Sequence, residues 1–124
     1  MSRVKNKNTK PEIIIRSIIH RLGYRFRKNS LNLPGRPDIV LARHRKVIFV
    51  HGCFWHGHKQ CKRASRPTTN TIFWAKKLDA NIVRDKHNNK ALRALGWKTL
   101  TVWECQTKKN QDKLLTKLES FLKT

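Results

Sequence analysis

Lys46-Val47-Ile48-Phe49-Val50-His51-Gly52-Cys53-Phe54-Trp55-His56-Gly57-His58-Lys59-Gln60-Cys61 changes character halfway, from an apolar run to a cluster of imidazoles, thiols and aromatic rings. Val47 to Val50 is β-branched and aromatic, too short for a helix of ordinary length, and Gly52 permits a sharp exit. The stretch predicts a buried strand whose C-terminal end opens into a reactive loop.

Upstream, Arg36-Pro37-Asp38-Ile39-Val40-Leu41 begins a second buried strand. Only Ala42, Arg43, His44 and Arg45 separate it from the Val47 strand, a length that suits an antiparallel hairpin. Asp38 and His51 are then expected near the same end of neighbouring strands. Tyr24 to Lys28 reads as an edge strand and Asn29 to Gly35 as a loop. Thr9-Lys10-Pro11-Glu12 has the form of a helix start, with Thr9 as the cap, Pro11 in the first turn and Glu12 three residues after the cap. Ile14, Ile15, Ile18, Ile19 and Leu22 follow as an apolar stripe that stops at Gly23. Downstream, the chain is irregular to Asn70, and Thr71 to Leu95 reads as one or two helices with Phe73-Trp74 in the first turn and Gly96 as the stop. Trp97 to Trp103 alternates as a third strand. Asn110 to Leu122 is an amphipathic helix with Leu114, Leu115, Leu118, Phe121 and Leu122 facing inward. The order of elements predicts an α/β domain over residues 9–124, preceded by a basic arm over residues 1–8, with no internal repeat.

The chain has 124 residues, 29 Lys plus Arg and 7 Asp plus Glu, for a formal charge of +22. Such a field calls for a polyanionic partner, and nucleic acid is preferred to a membrane surface because the basic residues are spread along the whole chain. No segment has the length and apolarity of a membrane span and no signal-peptide pattern follows Met1, so the expected location is cytoplasmic. Arg3 and Lys5 lie in an N-terminal arm without acids, which suits a phosphate backbone. Three cysteines fit reduced thiols or a metal site better than a disulfide framework.

Between Glu12 and Asp79 stands one acid, Asp38, in a segment with fifteen lysines and arginines. Its plainer roles are an ion pair with Arg36 or a turn cap. The alternative, preferred here, is a ligand for a hard cation such as Mg²⁺ that polarises a phosphodiester and activates water. His51 and His56, with no acidic neighbour in the sequence, are candidate proton carriers for hydrolysis. Cys53, His58 and Cys61 are spaced to wrap one loop around a tetrahedral Zn²⁺, and Cys105, just after the third strand, is the candidate fourth ligand of a closed structural site. Phe54 and Trp55 read either as wedges entering a base stack or as core residues, and Trp74 has the same two roles.

These residues resemble the very short patch repair (Vsr) DNA mismatch endonucleases. The likeness runs through Thr-Lys-Pro-Glu at 9–12, Pro-Gly-Arg-Pro-Asp at 34–38, Phe-Val-His-Gly-Cys-Phe-Trp-His at 49–56, Phe-Trp at 73–74, Arg-Asp at 84–85, Gly-Trp at 96–97 and Val-Trp-Glu-Cys at 102–105. It implies a restriction-endonuclease-like mixed sheet flanked by helices, with a structural zinc site. It implies an enzyme that nicks one strand of double-stranded DNA beside a T:G mismatch. Asp38 and the Val50 carbonyl would hold Mg²⁺, His51 and His56 would be catalytic, and Glu12 would lie near the metal's waters. Cys53, His58, Cys61 and Cys105 match zinc ligands. Phe54, Trp55 and Trp74 match intercalating aromatics, with Met1 as an arm residue in the opposite groove. A monomer and a mismatch-repair matchmaker as partner belong to the same expectation. Ile72 and Val83 stand where many relatives have Glu, which raises the positive charge. A zinc-stapled DNA-binding module without catalysis and a restriction-type nuclease acting on matched sites are the competing functions. Asp38 argues for catalysis, since an isolated acid facing phosphates would only weaken a binding module.

Overall fold

β2 (Ile39–Leu41) and β3 (Lys46–His51) pair antiparallel, with Ile39 opposite Ile48 and Leu41 opposite Lys46, as the short spacer between them requires. The spacer is a 3-10 turn, Ala42–His44, closed by Arg45 in a left-handed conformation at φ 54°. The computed structural model describes residues 10–28, 33–54, 56–58, 61, 65–109 and 111–123. Around this hairpin the sheet extends in the order β1-β2-β3-β4. β1 is a two-residue antiparallel edge, Arg27–Lys28, shorter than the expected Tyr24 to Lys28. β4 (Lys98–Trp103) runs parallel to β3, placing His51 beside Trp103.

Both faces of the hairpin are covered, and this explains why its strands read as continuous apolar runs rather than alternating ones. On one face Ile39, Leu41, Ile48 and Val102 pack against Ile15, Ile18 and Ile19 of α1 (Lys10–Arg21) and against Leu114, Leu118 and Leu122 of α4 (Gln111–Lys123). Leu115, expected inward, lies on the outer side of α4 and is exposed. On the other face Val40, Val47 and Phe49 pack on Leu92 of α2, with Leu33 and Trp97 at the margin. α2 is a single helix, Thr71–Ala94, and it crosses between the two parallel strands as such a pair needs. A further short helix, α3 (Glu104–Lys109), follows β4 where the sequence shows no helical periodicity.

A lysine is buried in this frame. Lys46, 4% exposed, donates from Nζ to the carbonyls of Phe121 (2.8 Å) and Leu122 (2.9 Å). It thus satisfies the open C-terminal carbonyls of α4 and meets the negative end of the helix dipole. α4 is thereby fixed to the start of β3, whose other end carries the reactive loop. None of the described helices is long and apolar enough to cross a membrane.

Candidate active site

The end of β3, the entry to β2, the N-terminal turn of α1 and one face of α2 together enclose a cleft of about 420 Å³. Asp38 enters it just before β2, and the Val50 N–H donates to its Oδ2 at 2.6 Å, which holds the carboxyl against the strand. Arg36 forms no ion pair with it, so the plainer pairing expected for Asp38 is not made. From α1 comes Glu12, buried, with Oε2 accepting from Arg16 Nη2 at 3.1 Å. The Glu12 carboxyl lies close enough to that of Asp38 to raise its pKa. Two carboxyl groups removed from water together resist double ionisation. Burial chiefly, with Glu12 adding to it and the Val50 N–H opposing it, pushes Asp38 up to about 7.

His51, buried at the end of β3, stacks on His56 with ring centroids 3.8 Å apart and planes 8° from parallel. Trp103 meets His51 edge-on at 5.4 Å. Burial, and then His56, push His51 down to about 4 against the pull of Asp85, so its imidazole is neutral near pH 7. The expectation that neither histidine has an acidic partner is corrected by the fold. His56 Nδ1 lies 2.6 Å from Asp85 Oδ2, 29 residues away on α2. Gly57 makes this approach feasible: at φ 63°, a Cβ there would fall 2.5 Å from Ile82 Cδ1, one turn before Asp85 on the same helix. Glu104, Asn88 and Asn89 also line the cleft, and the Asn89 Oδ1 is buried without a partner. Asp85 and these three are the site residues that local sequence pattern misses, because they belong to other elements and carry no spacing of their own.

Beside the cleft, one donor atom each from Cys53, His58, Cys61 and Cys105 lies within 4.8 Å of every other. β4, adding in parallel to β3, carries Cys105 to the same end of the sheet as Cys53. A tetrahedral zinc at about 2.3 Å from each thiolate needs sulfurs a little under 4 Å apart, so the set fits such an ion after slight contraction. His58 Nδ1 is 3.5 Å from Cys105 Sγ, and its ring stacks on Trp103 at 4.2 Å and 8°. The Cys53 thiol is pushed up to about 12, mainly by burial and further by Cys105 and Cys61. A cation would therefore have to displace protons to enter.

The aromatic residues gather at the start of α2. Half-buried Phe54 meets Trp74 edge-to-face at 5.5 Å, and Phe73, 57% exposed, meets the same ring at 5.1 Å. Trp55, Met1, Arg3 and Lys5 lie outside the described residues. Ile72 and Val83 are both exposed on α2, so these two positions belong to the surface and not to the core.

A family model described as DNA mismatch endonuclease Vsr matches residues 1–63. The chain is 47% identical over 106 residues to the type II nicking enzyme V.XorIIP of Xanthomonas oryzae pv. oryzae, covering 86% of this chain and 77% of that protein. To the type II nicking enzyme V.NmeAIP of Neisseria meningitidis it is 43% identical over 108 residues, covering 87% and 76%. To the DNA mismatch endonuclease Vsr of Escherichia coli it is 38% identical over 126 residues, covering 98% and 80%. Likeness of this extent, over a chain that gathers carboxyls and paired imidazoles in one cleft, places it in the Vsr DNA mismatch endonuclease family and makes it a DNA endonuclease.

Proposed function

We propose that this endonuclease nicks one strand of duplex DNA beside a T:G mismatch, using Mg²⁺ in the cleft and Zn²⁺ as a staple outside it. The observation that carries the chemistry is the juxtaposition of the Asp38–Glu12 carboxyl pair with the stacked His51–His56 pair in a single cleft. Asp38, with the Val50 carbonyl, offers the hard oxygen donors that Mg²⁺ prefers. When bound there, the cation supplies Lewis-acid polarisation of the phosphodiester and neutralises charge built up in the transition state.

The protein's own part is proton management. His51, neutral by burial, is suited to accept a proton from the attacking water, whose oxygen forms the new bond to phosphorus. His56, tied through Nδ1 to Asp85, keeps Nε2 for delivering a proton to the departing 3′ oxygen as the P–O3′ bond breaks. The products are a 5′-phosphate and a 3′-hydroxyl. Two stacked imidazoles resist double protonation, which favours one acid and one base.

Mismatch preference is assigned to the Phe54–Trp74 group with Trp55. Inserting rings into a base stack is less costly where a wobble pair is already poorly stacked. The test is incubation with T:G, C:G and T:A duplexes of one sequence in Mg²⁺, with the nick mapped to the nucleotide. A nick confined to the T:G duplex and its mismatched strand supports the reading. Equal cutting of all three duplexes would replace it with a nuclease acting on matched sites.

A further inference from the structure

Of the seven carboxylates in the chain, four line the cleft: Glu12, Asp38, Asp85 and Glu104. Among the described residues, Arg36 is the one lysine or arginine on the same wall. A phosphodiester has to enter this acidic pocket in a protein whose other described lysines and arginines lie outside it. Carboxylates at such range repel a phosphate unless a cation stands close by.

The backbone at Arg36 is also out of the ordinary. Its φ is 49°, in the left-handed region, and the following residue is Pro37, whose ring crowds helical conformations of its predecessor. Among the described residues two other non-glycine residues share a positive φ, and each has a local reason. Asn70, φ 53°, is of a type that tolerates this region. Arg45, φ 54°, ties its side chain back into the protein, donating to the Leu95 carbonyl at 2.7 Å and lying 4.8 Å over the Trp97 ring. The Arg36 side chain has no such tether: it is exposed and makes no hydrogen bond, ion pair or ring contact with any described residue.

Glycine would hold the same turn without strain. The turn itself is rigid, since Arg36 N–H donates to the Leu33 carbonyl at 3.1 Å and a Cβ at Gly35 would fall 3.0 Å from Asn88 Cβ. A strained backbone bearing an unpartnered cation, two residues before Asp38, is kept for something outside the folded chain. We propose that Arg36 is the phosphate clamp of this cleft, gripping the non-bridging oxygens of the scissile phosphate through paired guanidinium N–H bonds. This rests on the cleft being the hydrolytic centre, and it adds to that reading the group that brings the phosphate in.

The test uses the full chain with Arg36→Gly and Arg36→Lys. Three quantities are measured: the Tm, single-turnover nicking, and the salt dependence of duplex affinity in an Asp38→Asn background that does not cut. Arg36→Gly should raise the Tm by a few degrees as the strain is relieved. It should slow nicking by about 10²-fold or more, as loss of a donor to developing charge does. The slope of log K against log salt should shrink by about 0.9, the value of one phosphate. Arg36→Lys should restore the slope but not the rate, because a point charge lacks the guanidinium fork. Nicking by Arg36→Gly within about threefold of wild type, an unchanged slope, or a Tm lowered by several degrees would each overturn the clamp. Full activity in Arg36→Lys would overturn the paired geometry. If wild type nicks no duplex, it is the hydrolytic reading that fails, and the Tm and the salt slope still decide the clamp.

Discussion

Asp38 is a carboxyl that keeps its proton in the folded chain up to about pH 7, whereas an unfolded one releases it near 3.8. Its contribution to stability is therefore complete below about pH 4 and is lost as the pH rises through about 7. A divalent cation competes with that same proton, so the stabilisation given by Mg²⁺ should follow the opposite course. We expect the rise in Tm on saturating Mg²⁺ to be larger at pH 8 than at pH 6, and to vanish in Asp38→Asn. Equal rises at the two pH values would reject Asp38 as the ligand. Asp85 acts one bond further out, holding the His56 ring by Nδ1. Asp85→Asn should leave the Tm nearly unchanged while lowering single-turnover nicking by about 10²-fold or more, the range over which a positioned acid or base acts. Wild-type rates in that variant would show that the carboxylate does nothing for the imidazole.

At the scale of elements, the loop after β3 has no apolar stripe to fold it, yet it carries His56 to Asp85 and Phe54 to Trp74. Among its described residues, His56 N–H donates to the Gly52 carbonyl, Gly57 N–H to that of Phe54 and His58 N–H to that of Cys53. The zinc proposed for the Cys53–His58–Cys61–Cys105 cluster would supply the missing constraint, tying the loop to α3 in place of a core. Purified protein should accordingly contain about one Zn²⁺ per chain. Cys105→Ser should lose zinc and several degrees of Tm together, with chelator treatment of the wild type giving the same fall. Full zinc occupancy in Cys105→Ser would remove Cys105 from the ligand set.

For the whole molecule, a charge of +22 on 124 residues means that affinity for matched duplex is led by counterion release. Log K should fall with log salt at about −0.9 for each neutralised phosphate, and the slope should be the same for T:G and matched duplexes. A slope that is nearly flat would exclude phosphate-led binding. A much steeper slope for T:G would move discrimination from the aromatic group to added phosphate contacts.

Periodicity and composition alone specify the hairpin, the two flanking helices α1 and α4, the polyanionic partner and the candidate ligands Asp38, Cys53, His58 and Cys61. Each of these is written in spacings of a few residues or in bulk charge, quantities that do not depend on how the chain closes. The sequence also placed Asp38 and His51 at one end of the sheet, because a four-residue spacer leaves a hairpin little choice of register. What tertiary structure decided was which distant residues meet. Asp85 reaches His56, Lys46 holds the end of α4, and Cys105 joins the loop thiols. Every one of these pairings joins separate elements, and is set by the parallel addition of β4 and by the crossing of α2 over the sheet. Contacts of that kind are fixed by three-dimensional packing, and leave no local pattern from which they can be read.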